Sequence, residues 1–389
     1  MTVTRKLTGN EDFAGLKTAV KTLPAEAYYD PEIYRRELAE IWYRQWVYLC
    51  RTDALDGAGA YRTELIGDQS ILLLRDGDGA VRAFHNTCRH RGARLCGEGA
   101  GRFRRAIVCP YHQWTYDFAG NLLATSSLSE APDFDRADYP LYPIAAREWR
   151  GCIFVCLDDD PPAELESLRD GSENTGNWPL DELTVGHSWR KELECNWKTF
   201  WENFNECLHC PTVHPELSAL VPIYGRRAIL PQDDPDWRDH AESDDPKYRG
   251  GLRVGGETWS MDGRIHGARF ANLDDEELAA GARYYVNTPS VFIAAHPDYM
   301  RIVRILPLGP ERTELKAEWL FPAATLEDPD FDMANIVDFA KLVMEQDGEI
   351  SEINQKGLHA LPHRHGVLMP EEHYVAQFYE WYRRAMGGT

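Results

Sequence analysis

Two short segments, Cys88-Arg89-His90 and Cys109-Pro110-Tyr111-His112, constrain this 389-residue chain more than any other feature. Each segment offers one thiolate and one imidazole, so the four side chains form two mixed pairs rather than a set of four cysteines. Thiolates and imidazoles are ligands for zinc and for iron. The sequence therefore predicts a metal centre to which each of two loops contributes one sulfur and one nitrogen.

Two kinds of metal site use this ligand set. In a Rieske [2Fe–2S] cluster two thiolates hold one iron and two imidazoles hold the other, which raises the reduction potential above that of an all-cysteine ferredoxin. A Cys₂His₂ zinc site uses the same atoms, but zinc fingers usually place the two cysteines together and the two histidines together. The aromatic segment Gln113–Asp117, followed by Gly120, is typical of a strand and turn rather than of a finger helix. The pattern favours the iron–sulfur cluster over zinc, with the ligands Cys88, His90, Cys109 and His112.

The stretch from Phe84 to Leu123 resembles the Rieske domain of the Rieske non-haem iron oxygenases, the family of ring-hydroxylating oxygenase alpha subunits. Eighteen residues separate His90 from Cys109, slightly more than is usual in that family. We place the excess in the glycine-rich segment Gly97–Gly101, because a surface loop accommodates an added residue at little cost in free energy. The ligand assignment is unaffected.

Composition restricts the classes of protein to be considered. The hydrophobic content of 43% is that of an ordinary globular protein, and neither a run of 18 apolar residues nor an apolar signal core near Met1–Asn10 is present. Nine cysteines without framework spacing fit a reducing cytoplasm. A net charge of −21 argues against nucleic acid as a partner, because phosphates would be repelled. The acidic surface is compatible with an electron-transfer partner, although such surfaces commonly serve solubility alone.

Three regions follow one another along the chain. We expect residues 1–46 to form an N-terminal helical segment, 47–157 the Rieske domain and 158–389 a catalytic domain, with turn-rich boundary segments at 158–162 and 170–177. Apolar spacing predicts a helix over Pro31–Gln45. Other predicted elements are a hairpin of Ser70–Leu74 and Ala80–Phe84, a surface loop at Gln232–Gly250, and strands at Tyr284–Ala294, Arg301–Leu306 and Thr313–Leu320.

A second group of polar residues follows a predicted helix that begins near Asn196. Its apolar stripe comprises Trp197, Phe200, Trp201, Phe204 and Leu208. If the helix continued, Glu202, Glu206 and His209 would share another face. His214 would then be rotated by about 140° from His209. Pro211 and Pro215 favour a local distortion that could bring both imidazoles to one centre.

A third ligand is predicted from the helix Phe331–Leu358. Asp347 interrupts the apolar stripe of this helix, and a carboxylate on a buried face is costly unless it is paired or binds a metal. Taken singly, such an aspartate or histidine is more often a hydrogen-bonded core residue. Together with His209 and His214, however, Asp347 would complete a two-histidine, one-carboxylate site of the kind that activates oxygen on ferrous iron. We expect Cys207 and Cys210 to be small buried apolar side chains and not a redox pair.

These segments extend the resemblance to nearly the whole chain. Asn196–Lys198 and Glu202–Leu217 closely resemble the mononuclear-iron motif of the same oxygenases, and Gln346-Asp347 with Asn354–Leu358 resembles their third-ligand helix. The resemblance implies that His209, His214 and Asp347 bind a mononuclear Fe(II). It also implies that Glu206 links the two centres, accepting hydrogen bonds from His209 and from the Rieske His112 of a neighbouring subunit.

The resemblance further implies an α+β fold, with the Rieske β-domain inserted into a helix-grip catalytic domain of antiparallel sheet and long helices. Members of the family that lack a small beta subunit usually form head-to-tail homotrimers. No strand–Gly-x-Gly-x-x-Gly–helix unit is present, so we expect electrons from a separate NAD(P)H-dependent flavin/iron–sulfur reductase. The Glu206 context is more similar to members that act on glycine betaine, choline, carnitine or stachydrine than to many that act on aromatic rings.

Three functions are therefore compared. The first is a monooxygenase or N-demethylase of a quaternary ammonium compound, the second an aromatic-ring hydroxylase or dioxygenase, and the third a non-catalytic Rieske electron carrier. The carrier leaves the second group of ligands unexplained. A cation requires an aromatic cage, whereas an aromatic ring requires mainly an apolar slot. Candidate lining residues, each equally compatible with the ordinary core, are Trp201, Phe204, Tyr224, Trp259, Tyr285 and Phe292.

Overall fold

The structure is a computed structural model that describes residues 13–163 and 174–387. The described parts of Met1–Glu37, Ser167–Asn287 and Phe292–Thr389 form a larger compact unit, and those of Leu38–Glu166 with Thr288–Val291 form a smaller one. The smaller unit is thus an insertion near the front of the larger unit's chain. Residues 1–12 of the predicted N-terminal segment and 170–173 of the second predicted boundary segment lie outside the described residues.

Antiparallel strands build both units. In the smaller unit seven strands form a sheet of order β2-β11-β10-β5-β4-β3-β6, and three form the sheet β7-β8-β9. In the larger unit five strands form the sheet β12-β16-β15-β14-β13, and β1 pairs with β17. The strands are β1 Val20–Lys21, β2 Val47–Arg51, β3 Ala60–Ile66, β4 Gln69–Arg75, β5 Val81–His85, β6 Gly99–Arg102, β7 Ile107–Val108, β8 Thr115–Tyr116, β9 Leu122–Ala124, β10 Pro143–Trp149, β11 Cys152–Cys156, β12 Thr184–Leu193, β13 Arg283–Asn287, β14 Val291–Ala295, β15 Met300–Gly309, β16 Arg312–Phe321 and β17 Val367–Leu368.

The α-helices belong to the larger unit, where two of them, α2 and α8, pack on each other and on its five-stranded sheet. None of the helices in the described ranges combines the length and hydropathy needed to cross a membrane. The helices are α1 Pro31–Glu37, α2 Trp197–Phe204, α3 Cys210–Val213, α4 Pro215–Leu220, α5 Pro246–Arg249, α6 Asp275–Ala280, α7 Ala323–Glu327, α8 Met333–Leu358 and α9 His373–Ala385.

Several predicted elements are confirmed and two are corrected. The hairpin of β4 and β5 turns at Asp76–Gly79, where the Asp76 carboxylate accepts hydrogen bonds from the backbone of Asp78 and Ala80. The predicted helix Pro31–Gln45 is shorter, since α1 ends at Glu37 and a π-helical turn, Leu38–Trp42, follows it. The single strand predicted over Tyr284–Ala294 is two strands, because the chain turns at a Thr288–Pro289 bond and proline cannot donate to a ladder.

Polar anchors fix the start of α2. The helix begins beside Asn196, as predicted, and the Asn196 side chain caps it by accepting from the backbone N–H of Lys198. The Lys198 ammonium is fully buried and donates to the Glu37 carboxylate at 2.6 Å. Glu37 also accepts from the indole of Trp197 and the hydroxyl of Tyr382. Because every member of this network has a partner, it joins α1, α2 and α9 firmly at the start of α2. The opposite end of α2 leads into the site.

Candidate active site and metal centres

The Cys88 and Cys109 segments form two tight loops of the smaller unit. The first loop follows β5, where Cys88 donates its backbone N–H to Ala93 and accepts one from Gly92. The second loop connects β7 to β8, and here Cys109 donates to the carbonyl of Trp114. Each turn places a cysteine at its start and presents a histidine two or three residues later.

The four predicted cluster ligands converge in two layers. Cys88 and Cys109 are buried, and burial together with the neighbouring Cys109 thiol raises the pKa of Cys88. His90 is exposed and His112 is half-buried, with their Nδ1 atoms 3.2 Å apart. Two thiols at the inner end and two imidazoles at the outer end are the donor set of a two-iron cluster with one iron on each pair. The residues present therefore fit the cluster that the sequence predicts.

Aromatic side chains support these loops in a way that the sequence did not reveal. The hydroxyl of Tyr116 lies 3.3 Å from Cys88 Sγ and accepts the backbone N–H of Arg89 at 3.1 Å. The Trp114 ring stacks on the imidazole of His90 with centroids 4.9 Å apart. From sequence both aromatics were predicted only as strand residues, because the contacts depend on how the second loop folds back over the first.

The second group of ligands lies beyond the end of α2. That helix ends at Phe204, so the continuous helix that would have put Glu202, Glu206 and His209 on one face is not formed. The predicted distortion at the prolines is present, since Pro211 lies in the first turn of α3 and Pro215 begins α4. His214 lies between the two short helices with φ −123° and ψ 66°, a non-helical conformation that turns its ring toward His209.

His209, His214 and Asp347 meet at one point. Their ligand atoms all lie within 4.8 Å of one another. Asp347 Oδ1 is 2.8 Å from Nε2 of His214 and 3.5 Å from Nε2 of His209. The carboxylate projects from α8, which approaches β12 closely at Gly348, where a Cβ atom would meet Leu193 at 2.8 Å. Two imidazole nitrogens and one carboxylate oxygen in this arrangement fit a ferrous ion with open coordination positions.

Hydrogen bonds on the far side of each ring fix which nitrogen faces the centre. His209 Nδ1 is 2.5 Å from the Glu206 carboxylate, and His214 Nδ1 is 2.7 Å from the side-chain oxygen of Gln346. Because Nδ1–H donates in both cases, both Nε2 atoms remain available for a metal. Asn203 donates to the third ligand, Asp347, at 2.6 Å. Gln346 and Asn203 were not predicted as site residues, although both lie in the segments that resemble the iron motif and its third-ligand helix, and Gln346 is adjacent to a ligand.

The electrostatics of the centre suit a cation. Burial alone would lower the pKa of His209, but the neighbouring carboxylates of Asp347 and Glu206 raise it to about 9. Burial would raise the pKa of Asp347, yet hydrogen bonds from His209 and His214 hold it well below its usual range. The carboxylates thus favour positive charge at the place where the Nε2 atoms converge. A divalent metal supplies that charge and leaves the imidazoles neutral.

Cys207 and Cys210 correct an expectation. They form a disulfide, with Cα atoms 5.0 Å apart, instead of two separate buried thiols. The Cys-x-x-Cys spacing was the signal that could have predicted the pair. Cys210 Sγ lies 3.9 Å from Nε2 of His209, so the disulfide forms part of the wall around the centre.

A cavity of about 440 Å³ opens onto the three ligands. Four of the predicted lining residues, Phe204, Tyr224, Trp259 and Phe292, do form its wall. Trp201 and Tyr285 are instead buried in the core. Tyr284 takes the place of its neighbour Tyr285, because successive side chains of a strand point to opposite faces. Several of these rings pack on one another, among them Phe204 and Phe292 with centroids 4.5 Å apart.

Comparisons with known proteins agree with this architecture. The family model for the ring hydroxylating alpha subunit (catalytic domain) matches residues 180–388, and that for the Rieske [2Fe–2S] domain matches residues 45–135. The glycine betaine monooxygenase oxygenase subunit of Chromohalobacter salexigens is 31% identical over 94% of this chain and 86% of its own length.

Solved structures share the fold. A quaternary ammonium Rieske monooxygenase, described with insights into carnitine oxidation and inter-subunit electron transfer, has a TM-score of 0.72 at 20% identity, covering 95% of this chain and 96% of its own. Naphthalene 1,2-dioxygenase from Rhodococcus sp. has a TM-score of 0.71 at 20% identity, covering 95% and 94%. They confirm the predicted α+β fold, with a Rieske domain and an antiparallel, helix-covered catalytic domain. The chain belongs to the ring-hydroxylating alpha-subunit family of Rieske non-haem iron oxygenases, and is an oxygenase with a Rieske [2Fe–2S] cluster and a mononuclear iron.

Proposed function

We propose that this protein is the oxygenase component of a Rieske system that hydroxylates or N-demethylates a quaternary ammonium, betaine-like small molecule. The observation that carries the proposal is the aromatic wall of the cavity beside the three ligands, to which Phe204, Tyr224, Trp259, Tyr284 and Phe292 contribute. Aromatic faces attract a quaternary ammonium group, which has no N–H to donate. The similarity to a glycine betaine monooxygenase subunit supports the same substrate class.

We further propose the ligands of each centre. Cys88, His90, Cys109 and His112 would hold the cluster, and His209, His214 and Asp347 the mononuclear iron. When bound, the cluster supplies single electrons and the iron activates O₂ beside the substrate. Glu206 and Gln346 keep the Nε2 atoms of their imidazoles directed at the metal, and Asn203 orients the Asp347 carboxylate.

Glu206 is proposed to transmit electrons between centres. It contacts His209 at 2.5 Å and borders the active-site cavity as well as a second cavity of about 460 Å³, so its carboxylate is accessible from two sides. We propose that the Rieske cluster of a neighbouring subunit donates through this carboxylate in a homotrimer. A structural neighbour described with inter-subunit electron transfer supports this route.

The remaining proposals concern context. An oxygenase subunit of this family depends on a separate reductase, and we propose one that carries NAD(P)H-reducible flavin and an iron–sulfur cluster. We propose a cytoplasmic location, which is supported by the seven cysteines that form no disulfide within residues 13–163 and 174–387. The division into residues 1–46, 47–157 and 158–389 is kept as our proposal for the three functional segments.

A substrate panel tests the proposed function. The purified oxygenase, supplied with NADH and a matched reductase, should consume O₂ with glycine betaine or L-carnitine and release formaldehyde if an N-methyl group is oxidised. Naphthalene and benzoate are the aromatic counterparts, scored for diols and phenols. Turnover of the aromatic compounds, with no oxidation of any quaternary amine, would show that the protein is an aromatic-ring oxygenase instead.

A further inference from the structure

We infer that Arg301 binds a carboxylate group of the substrate, so that the cavity selects betaines over quaternary ammonium compounds without an anionic group. This inference rests on the proposed function for the ammonium group and adds the recognition of the other end of the molecule. The two can fail separately, because the cation and the anion are recognised by different side chains.

Arg301 is a buried cation in the wall of the active-site cavity. It is the second residue of β15 and is only 4% exposed. Its Nε atom is buried without an acceptor. Among residues 13–163 and 174–387, no carboxylate lies within 4.0 Å of its guanidinium and no side chain or carbonyl accepts a hydrogen bond from it. A buried charge without a partner costs considerable free energy, so an unpaired guanidinium beside a ligand cavity indicates that the ligand provides the counter-charge.

Arg304, three residues along the same strand, shows how this fold pairs a structural arginine. It points to the opposite face of the sheet and is equally buried. Its guanidinium donates to the Glu314 carboxylate at 2.6 Å, and Glu314 also pairs with Arg190. The strand therefore carries two buried arginines, of which the one facing away from the cavity has an internal carboxylate and the one facing the cavity has none.

Nearby groups do not neutralise Arg301. His296 is buried, and burial together with the positive charge of Arg301 lowers its pKa to about 3, so this imidazole is neutral. Asp298 is a buried carboxylate three residues before Arg301, but its Oδ1 accepts from the Thr258 hydroxyl at 2.6 Å. Asp298 lies beyond ion-pair distance of the guanidinium in the part of the chain that the structure describes.

A second unpaired donor lies in the same cavity wall. The indole Nε1–H of Trp259 is buried and has no acceptor within the described residues. Tyr284, also in the wall, is within electrostatic range of both Arg301 and Asp347. Burial raises the pKa of its hydroxyl to about 12, while the positive charge of Arg301 lowers this pKa and the negative charge of Asp347 raises it. Arg301 and Trp259 thus place two unpaired buried donors in the wall of the cavity that the three metal ligands also border.

The chemistry of a betaine matches these two regions. Its carboxylate can accept two parallel hydrogen bonds from a guanidinium, which are charge-assisted and directional. Its ammonium group cannot donate and is stabilised by aromatic faces. Binding of the carboxylate at Arg301 would leave the methyl groups to face the aromatic wall and the ligands. Arg301 would thus select the substrate and determine which end approaches the metal.

Equilibrium binding to the oxidised holoenzyme, which cannot turn over without reductant, tests the inference. The matched probes are glycine betaine and choline, which share the trimethylammonium group and differ in carboxylate against hydroxyl. Isothermal titration should show that Arg301→Met lowers the affinity for glycine betaine by about 10- to 100-fold, which is the usual effect of removing a charged hydrogen-bond partner. Choline affinity should stay within about 2-fold, and Arg301→Lys should give an intermediate loss because a point charge replaces the fork.

Arg304→Met is the matched control. It removes a buried arginine from the same strand but leaves Glu314 paired with Arg190, so both probes should bind as in the unmodified protein. Thermal unfolding without ligand supplies a readout that a structural role for Arg301 would change. Because the charge of Arg301 has no internal partner, Arg301→Met should not lower Tm. A lower Tm, together with an equal loss of affinity for glycine betaine and choline, would overturn the inference.

Benzoate and benzyl alcohol separate the two proposals. If glycine betaine and choline bind alike and Arg301→Met leaves their affinities unchanged, the carboxylate site is wrong while the quaternary ammonium function stands. If neither quaternary probe binds, but benzoate binds in an Arg301-dependent manner and benzyl alcohol does not, the proposed function fails and the carboxylate site stands.

Discussion

The two groups of histidines use opposite ring nitrogens. In the smaller unit the Nδ1 atoms of His90 and His112 face each other at 3.2 Å, and neither Nε2 atom has a hydrogen-bond partner among the described residues. In the larger unit Nδ1 of His209 and His214 is bonded to Glu206 and Gln346, and the Nε2 atoms converge. His90 and His112 thus keep their Nε2 atoms available to a partner at the surface. His209 and His214 are instead held in place by hydrogen bonds from Nδ1 to Glu206 and Gln346.

The difference follows from the task of each centre. An electron-transfer cluster requires an exposed edge, and exposed imidazoles provide it without further support. A centre that activates O₂ requires fixed ligands and open positions, so each imidazole is held by a residue that does not touch the metal. The comparison predicts that the two centres fail independently, and that the mononuclear centre is sensitive to residues outside its ligand set.

The largest effect is expected from reciprocal loss of ligands. Asp347→Ala should abolish turnover and mononuclear iron binding while the visible spectrum of the Rieske cluster is retained. His112→Ala should remove the cluster spectrum while mononuclear iron, measured by metal analysis, is kept. A colourless unmodified protein that contains zinc at Cys88 and Cys109 would break the comparison. Full activity of Asp347→Ala would show that the carboxylate is structural.

The second prediction concerns Glu206, which belongs to the mononuclear centre but is proposed to serve both. Glu206→Gln keeps the shape and loses the charge, so both centres should load and dithionite should still reduce the cluster. Reoxidation of the reduced cluster by substrate and O₂ should slow by at least about 100-fold. Stopped-flow absorbance at the cluster band measures this rate.

Mixed assemblies show whether the transfer crosses subunits. Glu206→Gln and His112→Ala chains should each be inactive alone, but co-assembled chains would place an intact donor beside an intact acceptor at some interfaces. Partial recovery of activity is expected. The absence of recovery in verified mixed trimers would argue for transfer within one chain.

A smaller effect is expected at Gln346, which holds His214 and has no counterpart behind His90 or His112 in the part of the chain that the structure describes. Gln346→Leu should weaken Fe(II) binding by about 10-fold. This is the smaller end of the loss of metal affinity seen for residues that support a ligand, because a neutral amide is lost rather than a charge. The cluster spectrum should be unchanged. Glu345→Ala, at the adjacent half-buried position whose carboxylate pairs with Lys341, is the control. Equal iron affinity in both variants would show that His214 is held by packing alone.

The same contrast explains what the sequence could predict. The cluster ligands lie two or three residues apart within each loop, so local spacing identifies them. Asp347 lies 133 residues from His214 and was recognised because a carboxylate interrupted an apolar helical stripe and because Gln346-Asp347 resembles the third-ligand helix of the family. That helix, α8, was predicted nearly to its ends, and the start of α2 near Asn196 was predicted correctly.

What could not be predicted depends on tertiary packing. No proline or glycine directly follows Phe204 to end α2. The helix ends there because the chain must leave it to place His209 opposite Asp347. The role of Gln346 and the unpaired state of Arg301 depend on which face of a helix or strand meets the cavity. The exchange of Tyr284 for Tyr285 reflects a strand register that periodicity alone did not fix.

The last prediction compares one carboxylate from each unit, the buried Asp76 and the half-buried Glu202. In the smaller unit, burial of Asp76 would raise its pKa, but its bonds to Arg82 and to backbone N–H groups lower it. In the larger unit, desolvation raises the pKa of Glu202 in α2 to about 7, although the Tyr28 hydroxyl donates to it at 2.5 Å. Because the pKa of Glu202 in the folded protein exceeds its ordinary value of 4.5, ionising it costs stability as pH rises from 4.5 to 7, and no cost exists below 4.5.

Glu202→Gln should therefore leave stability unchanged near pH 4.5 and increase it by about 2 kcal/mol at pH 8, a value reduced from the full shift because the side chain borders a cavity. Asp76→Asn should have the opposite sign, with a loss that is constant between pH 5 and 8, because a lowered pKa contributes stability throughout that range. Denaturant unfolding of both variants at pH 4.5, 6 and 8 measures the difference. A gain for Glu202→Gln that did not vary with pH would show that the pKa of Glu202 in the folded protein is not raised.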